Sequence, residues 1–381
     1  MNNFIKLDLE TINGNNIHLN KDYLKPYQEE IIEFLDGQDY MKTLKFAKSM
    51  MMSQEIKSNN SVEGINDNLS IIDKVIQERK SNLSNQTKQR IINLYHGYQY
   101  ILNNETIDKE HLKELYQLLS DGILEKYDKE NMGEYYRNAP VYILKGGRLN
   151  DKPFMGVGIE KIDYFMNKLF EFINNEKTES DEIDIFIKSQ IIHFYFVYIH
   201  PYFDVNGRTS RTISMWYLLN NKNYPYIIFN RAIAFNKKEY ISNIIKGRHQ
   251  GDITLFLKYI LISVERELEK EYLINNIKET STTQLSKEDT QILEYLLTMK
   301  GNLTAKDLIY IYKNYNEHQK PNIIFEEKIL PLIDKSIILN KGYTKGIIMK
   351  NMPNMNISIN PNIVDINPKK VKHLNINRFI K

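Results

Sequence analysis

Nine consecutive residues, Ile191 to Ile199, carry almost no polar relief, and His200 and Pro201 follow them directly. An apolar run of that kind reads as a helix buried on all sides. Proline has no backbone donor, so the helix stops at His200 and leaves the imidazole beside a turn. Asn206 and Gly207 are a strong turn signal. Arg208 to Leu219 then reads as a second helix, with Ile213, Trp216, Tyr217 and Leu219 available for packing. A chain built around this corner is mainly α.

The corner has the makings of an anion site. A helix start presents unpaired N–H groups and the positive end of the helix dipole, and both favour phosphate. Arg208 and Arg211 share one helical face there, and guanidinium groups can fork onto phosphate oxygens. Asp204 is the kind of oxygen ligand that Mg²⁺ uses when it also holds substrate phosphates. His200 is the one side chain of the stretch that can take a proton near neutral pH. The combination points to nucleotide transfer.

The stretch from His200 to Arg211 resembles the signature of Fic-domain proteins, His-Pro-Phe-x-Asp/Glu-Gly-Asn-Gly-Arg-x-x-Arg. His200, Pro201, Asp204, Asn206, Gly207, Arg208 and Arg211 match; Tyr202 stands for the usual Phe and Val205 for the usual first Gly. The resemblance implies transfer of AMP from ATP to a protein hydroxyl with Mg²⁺. It makes His200 the base and Asp204 the metal ligand, with Asn206, Gly207, Arg208 and Arg211 on the phosphates. If the position of Val205 needs positive φ, a β-branched residue there is strained.

Ser58 to Asn66 by itself is a polar turn. Beside the signature it resembles the inhibitory motif Ser/Thr-x-x-x-Glu-Gly/Asn of the same family, with Glu63 and Gly64 matching and Asn59 at the usual Ser/Thr position. The resemblance implies that Glu63 pairs with Arg211 and blocks placement of the ATP γ-phosphate, in the class whose inhibitory helix precedes the core. In such relatives the same glutamate can support removal of AMP. Gly133 to Arg137 leads into a Tyr-containing β-type segment ending at Gly146 and Gly147, which reads as a hairpin. The resemblance makes it a target-binding flap, with Val141, Tyr142, Ile143 and Leu144 as its first strand. It also places Tyr240 at the adenine pocket. His193, seven residues before His200, reads as a packed core histidine rather than a metal ligand.

Elsewhere the pattern is helical: Tyr27 to Leu35, Tyr40 to Met52, Leu69 to Lys80, Thr87 to Leu102, Asp108 to Glu125, Val157 to Asn174, Asn236 to Ile245 and Phe256 to Glu271. The expected domains are an N-terminal helical region with the inhibitory motif (1–110), a Fic catalytic core (111–274) and a linker (275–286). A winged-helix-like α/β domain (287–350) and a tail of unplaced structure (351–381) follow. In the winged-helix-like part, helices from Gln291, Thr304 and Phe325 precede a hairpin from Ile337 to Met349. From Gln284 onward 15 Lys and Arg face 9 Asp and Glu. Glu326 and Glu327 nevertheless sit where a reading helix would meet DNA, so a protein-contact or dimerisation role is favoured over DNA binding.

There are no cysteines, so disulfides and thiol chemistry are excluded. Met1 to Asp8 lacks a signal peptide's apolar stretch, and no uncharged run reaches membrane-spanning length, so a cytoplasmic protein without membrane contact is expected. The combined expectation is an AMPylating enzyme using ATP and Mg²⁺, with a Tyr, Ser or Thr hydroxyl as acceptor, on itself or on a target protein. Glu63 restrains it, and de-AMPylation and a homodimer stay open. The alternative is a Fic-fold regulator with little catalysis, acting through the C-terminal domain. Lys is absent from position 207, which argues against the phosphotransferase branch.

Overall fold

The computed structural model describes residues 4–35, 52–65, 84–143, 154–175, 183–221, 229–234, 236–280, 320–341 and 356–360, with short pieces between them. The expected helix from Tyr40, most of Leu69 to Lys80, Leu144 to Gly147 and most of 281–319 and 342–355 lie outside the described residues. The chain divides into two compact units, Met1–Asn66 with Ile71–Leu261, and Asp67–Ser70 with Ile262–Lys381.

The first unit opens on an antiparallel hairpin of β1 (Phe4–Glu10) and β2 (Asn16–Asn20), followed by α1 (Lys21–Leu35). Leu7, Leu9, Ile17 and Leu19 alternate inward, the period-two pattern of a sheet with one buried face. Next come α2 (Met52–Val62), α3 (Asn85–Asn103), α4 (Lys109–Ser120) and α5 (Lys126–Glu130). Asp108 caps α4 as expected, accepting from the His111 N–H at 2.9 Å. The expected run to Glu125 is broken: α4 ends at Ser120, and Gly122 turns the chain at φ +68°.

A two-residue ladder of β3 (Tyr142–Ile143) and β4 (Phe154–Met155) is antiparallel. A 3₁₀ turn then leads into α6 (Ile162–Asn174). At the centre lies α7 (Ile185–Ile199), capped by Asp184 and buried along nearly its whole length, packed against α8 (Asn206–Asn220). The hydroxyls of Tyr195 and Tyr198 on α7 accept the Glu10 and Ile12 N–H groups, at 3.2 and 2.6 Å, and tie the hairpin to the core. Helices α9 (Phe229–Ala234) and α10 (Lys237–Gln250) follow, and the unit ends at Leu261, within α11 (Thr254–Thr280).

Two further expectations are corrected. Ser58 to Val62 is the end of a helix, not a polar turn, because Asn59 and Asn60 are buried and bonded. The expected linker from residue 275 is helical to Thr280, because Ile274 and Ile277 keep an apolar face buried. The tail, left unplaced by the sequence, supplies a strand in the second unit: β7 (Asn356–Ile359) lies between β5 (Leu303–Thr304) and β6 (Ile338–Lys341), antiparallel to both. Its Ile357 and Ile359 join a core with Ile292, Leu308, Phe325 and Ile338. In that unit Phe325–Ile329 is a π-helical stretch just before Pro331, which has no N–H to continue the α pattern.

Candidate active site

The corner between α7 and α8 is set by two left-handed residues. His200 ends α7 at φ 54°, ψ 61°, and Val205 precedes α8 at φ 67°, ψ 2°. Positive φ is expensive for a β-branched residue, so Val205 is strained as its chemistry predicts. Side chains brace the turn between them. The Asn206 amide donates to the Tyr202 carbonyl at 2.8 Å and accepts its N–H at 3.1 Å. The Asp204 carboxylate accepts the Val205 N–H at 2.6 Å. Tyr202 is fully buried and stacks on Tyr116 with ring centres 3.5 Å apart. Its hydroxyl has no partner among the described residues, a polar atom that the usual Phe would not bring.

The first turn of α8 gathers cations. Arg208 is buried, with Nη2 3.9 Å from Asp204 and Nη1 without a partner among the described residues. Arg211 is 1% exposed and is held from α2. It donates to Asn59 Oδ1 through Nε at 3.0 Å and Nη2 at 2.7 Å, and to Glu63 Oε1 at 2.7 Å. Asn59 in turn donates to the Tyr98 hydroxyl at 2.9 Å. A Cβ on Gly207 would come within 2.7 Å of Glu63 Oε1, so only glycine lets the carboxylate settle against the helix start. Burial opposes the charge of Glu63, but Arg211, with Arg208 and Lys237, holds its carboxyl below the usual glutamate value. Gly64, at φ +86°, ends α2: its N–H bonds Ser61 and that of Ile65 bonds Asn60, the 6→1 and 5→2 pattern of a Schellman cap.

His200 sits among cations as well. Burial first, then the charges of Arg248 and Arg137, push its imidazole down to about 3, so it is neutral near pH 7. The Arg248 guanidinium lies over the Tyr198 ring. Arg137 is buried and reaches the His200 carbonyl at 2.9 Å.

The structure thus brings His200, Asp204, Asn206, Gly207, Arg208, Arg211, Glu63 and Gly64 to one corner. Val141, Tyr142 and Ile143 lie on the flap side, and Leu144 is outside the described residues. Tyr240, expected at the adenine pocket, packs behind the corner. It is 4% exposed, and its hydroxyl bonds His193 Nε2 at 2.8 Å inside the helical core. His193 is fully buried, as the core reading requires. Sequence reading missed Asn59 as the second partner of Arg211. The signal was its position four residues before Glu63, one helical turn on the same face.

Comparison with known proteins bears on this geometry directly. Residues 106–218, which contain the whole corner from His200 to Arg211, match the Fic/DOC family. The chain carries a Fic domain over those residues. Relatives named protein adenylyltransferase Fic from Drosophila mojavensis and Drosophila melanogaster are 29% identical over 147 residues, 39% of this chain. The Fic-domain chain spans only about a quarter of those proteins, 26% and 27%. Among solved structures, a Fic family protein from Desulfovibrio desulfuricans superposes with a TM-score of 0.55 at 16% identity, covering 88% of this chain and 95% of that one. Fic-1 from C. elegans gives 0.52 at 16% identity, covering 68% of this chain and 73% of that one. Both show the Fic fold. Among the described residues no helix of this Fic-domain protein is long and apolar enough to cross a membrane.

Proposed function

We propose that this protein transfers AMP from ATP to a Tyr, Ser or Thr hydroxyl of a protein, and that Glu63 keeps the resting state slow. The observation that carries the reading is the Glu63 carboxylate seated against Gly207 and bonded to Arg211. An anion site at a helix start is there filled by the chain's own anion. ATP phosphates would replace it, meeting the α8 N-terminus, Arg211 and the spare nitrogen of Arg208. Tyr240, under Arg211 and His193, supports this site from behind rather than stacking a base.

Neutral His200 is suited to take the proton of the acceptor hydroxyl as its oxygen bonds the α-phosphorus. The bond from that phosphorus to the β-phosphate bridging oxygen breaks, and pyrophosphate leaves. Charge building on the phosphates meets the fixed N–H groups and guanidiniums at α8. Asp204 is exposed, and no group of three or more metal-ligating side chains exists among the described residues. A lone carboxylate fits Mg²⁺ that arrives on ATP phosphates, where it would neutralise phosphate charge.

Intact mass after incubation with ATP and Mg²⁺ tests the reading. Glu63→Gly should gain adenylyl groups, wild type few, and Glu63→Gly with His200→Ala none. Loss of AMP from the modified protein, dependent on Glu63, would add the reverse activity. If no variant gains mass and ATP binds weakly, the strain at Val205 favours the second reading, a Fic-fold regulator without turnover. The second unit is then the place to look, with a protein contact or homodimer favoured over DNA for its Glu326 and Glu327 face.

A further inference from the structure

Arg137 is 3% exposed, and no carboxylate pairs with it among the described residues. Burial without a counter-ion lowers the affinity of its guanidinium for the proton. A cation is tolerated in such a place only when its hydrogen bonds are used. Arg137 uses them on three separate stretches of backbone. Nε donates to the His200 carbonyl at 2.9 Å, Nη1 to Ala139 at 2.9 Å, and Nη2 to Val157 at 2.5 Å. Its own N–H bonds the Pro201 carbonyl at 2.9 Å, and the Val157 N–H bonds Ile199 at 3.0 Å. Ala139 stands just before β3 and Val157 just after β4. One side chain therefore joins the entry of the flap, its exit and the histidine between α7 and the turn.

Gly156 shows how little room is left. A Cβ there would stand 2.7 Å from Arg137 Nη2, 3.0 Å from Val141 Cγ1 and 3.2 Å from His200 Cβ. The bond from Arg137 also falls on the carbonyl of the residue at φ 54°, where a non-glycine backbone needs outside support.

We propose that Arg137 is a positioning residue that clasps the flap to the His200 backbone, so that an acceptor held on the flap meets the imidazole in fixed register. The inference rests on the transferase reading above. It makes no claim on ATP binding, because the phosphate groups are met at α8 instead.

The experiment uses the full chain in the Glu63→Gly background, with Arg137→Gln, Arg137→Lys and Gly156→Ala. The readouts are self-adenylylation at saturating ATP and Mg²⁺, ATP affinity by titration, the melting temperature, and amide exchange at Arg137 and Val157. A misplaced base costs roughly a hundredfold in rate. Arg137→Gln is expected to lose on that order, with ATP affinity within about twofold and faster exchange at both amides; Gly156→Ala should do the same with Arg137 intact. Arg137→Lys keeps the charge but not the three-way fork, and should recover little. Parallel loss of rate and ATP affinity, or full recovery in Arg137→Lys, would overturn the clasp. If the Glu63→Gly parent itself gains no adenylyl groups and binds ATP weakly, the transferase reading fails. Exchange then judges the clasp alone, and unchanged protection at both amides in Arg137→Gln would sink it.

Discussion

Arg137 and Arg211 are 3% and 1% exposed, yet Arg137 meets only backbone carbonyls while Arg211 meets the side chains of Asn59 and Glu63. Carbonyls cannot be titrated, and they leave only if the fold leaves. The partners of Arg211 sit at the end of α2, outside the residues that match the Fic family, and one of them, Glu63, is 37% exposed. The corner is thus fixed on its histidine side and releasable on its arginine side. That division would suit the proposed transferase, whose base must stay in place while its anion pocket is emptied and refilled.

The comparison breaks most sharply if Arg211 is not needed to hold α2. Arg211→Ala would leave Asn59 Oδ1 buried without its donors and Glu63 without its cation. The expected cost is about 3 kcal/mol of stability, together with loss of transfer. Urea unfolding measures it, and a loss below about 1 kcal/mol would mean that α2 is held by its other contacts.

Acid should act next, on the two buried histidines. His200 and His193 both titrate near 3 in the folded chain, each pushed down first by burial. Between the ordinary histidine value and 3 the unfolded chain binds a proton at each and the folded chain does not. Stability therefore falls as pH falls through that window, by roughly 1.4 kcal/mol per pH unit for each group. His193→Gln should remove about half of the slope in unfolding curves between pH 6 and 4. An unchanged slope would show that His193 is protonated inside the core.

Val205→Gly asks whether the turn itself is under load. At φ 67° a β-branched residue costs about 1–2 kcal/mol, part of which glycine gives back through its freer unfolded chain. A gain of about 1 kcal/mol in stability and faster transfer in the Glu63→Gly background are expected. Slower transfer would mean that Val205 packs for function.

The corner was legible in sequence because its determinants are local. Pro201 ends a helix, Asn206 and Gly207 make a turn, and two arginines three apart share a face. Asp108 as a cap was equally local. What was not legible depends on distant partners. Asn59 meets Arg211 across 152 residues, and Arg137 meets Val157 and His200 across 20 and 63. Asn356 to Ile359 forms the middle strand of a sheet through neighbours on both sides, one more than fifty residues earlier in the chain. Polar composition misled at Ser58 to Val62, where asparagines that favour turns are bonded inside a helix.

Glu63→Gln is the smallest change and the finest test of the releasable side. The amide keeps an acceptor for Arg211 and loses only the charge. Because the carboxylate is 37% exposed and its field is screened, the expected loss at pH 7 is below about 1 kcal/mol. The sign with pH is fixed by the cause. Arg211 lowers the Glu63 carboxyl against the opposing burial, so its contribution is full above the ordinary glutamate value and is lost as pH falls through the folded value. Wild type and Glu63→Gln should differ in melting temperature at pH 7 and converge in acid, while the histidine effect, common to both, cancels. Arg137→Gln should show no such convergence, since carbonyls carry no proton to gain. A Glu63→Gln deficit that persists undiminished in acid would mean that Arg211 is held by hydrogen-bond geometry alone, and that both sides of the corner are fixed in the same way.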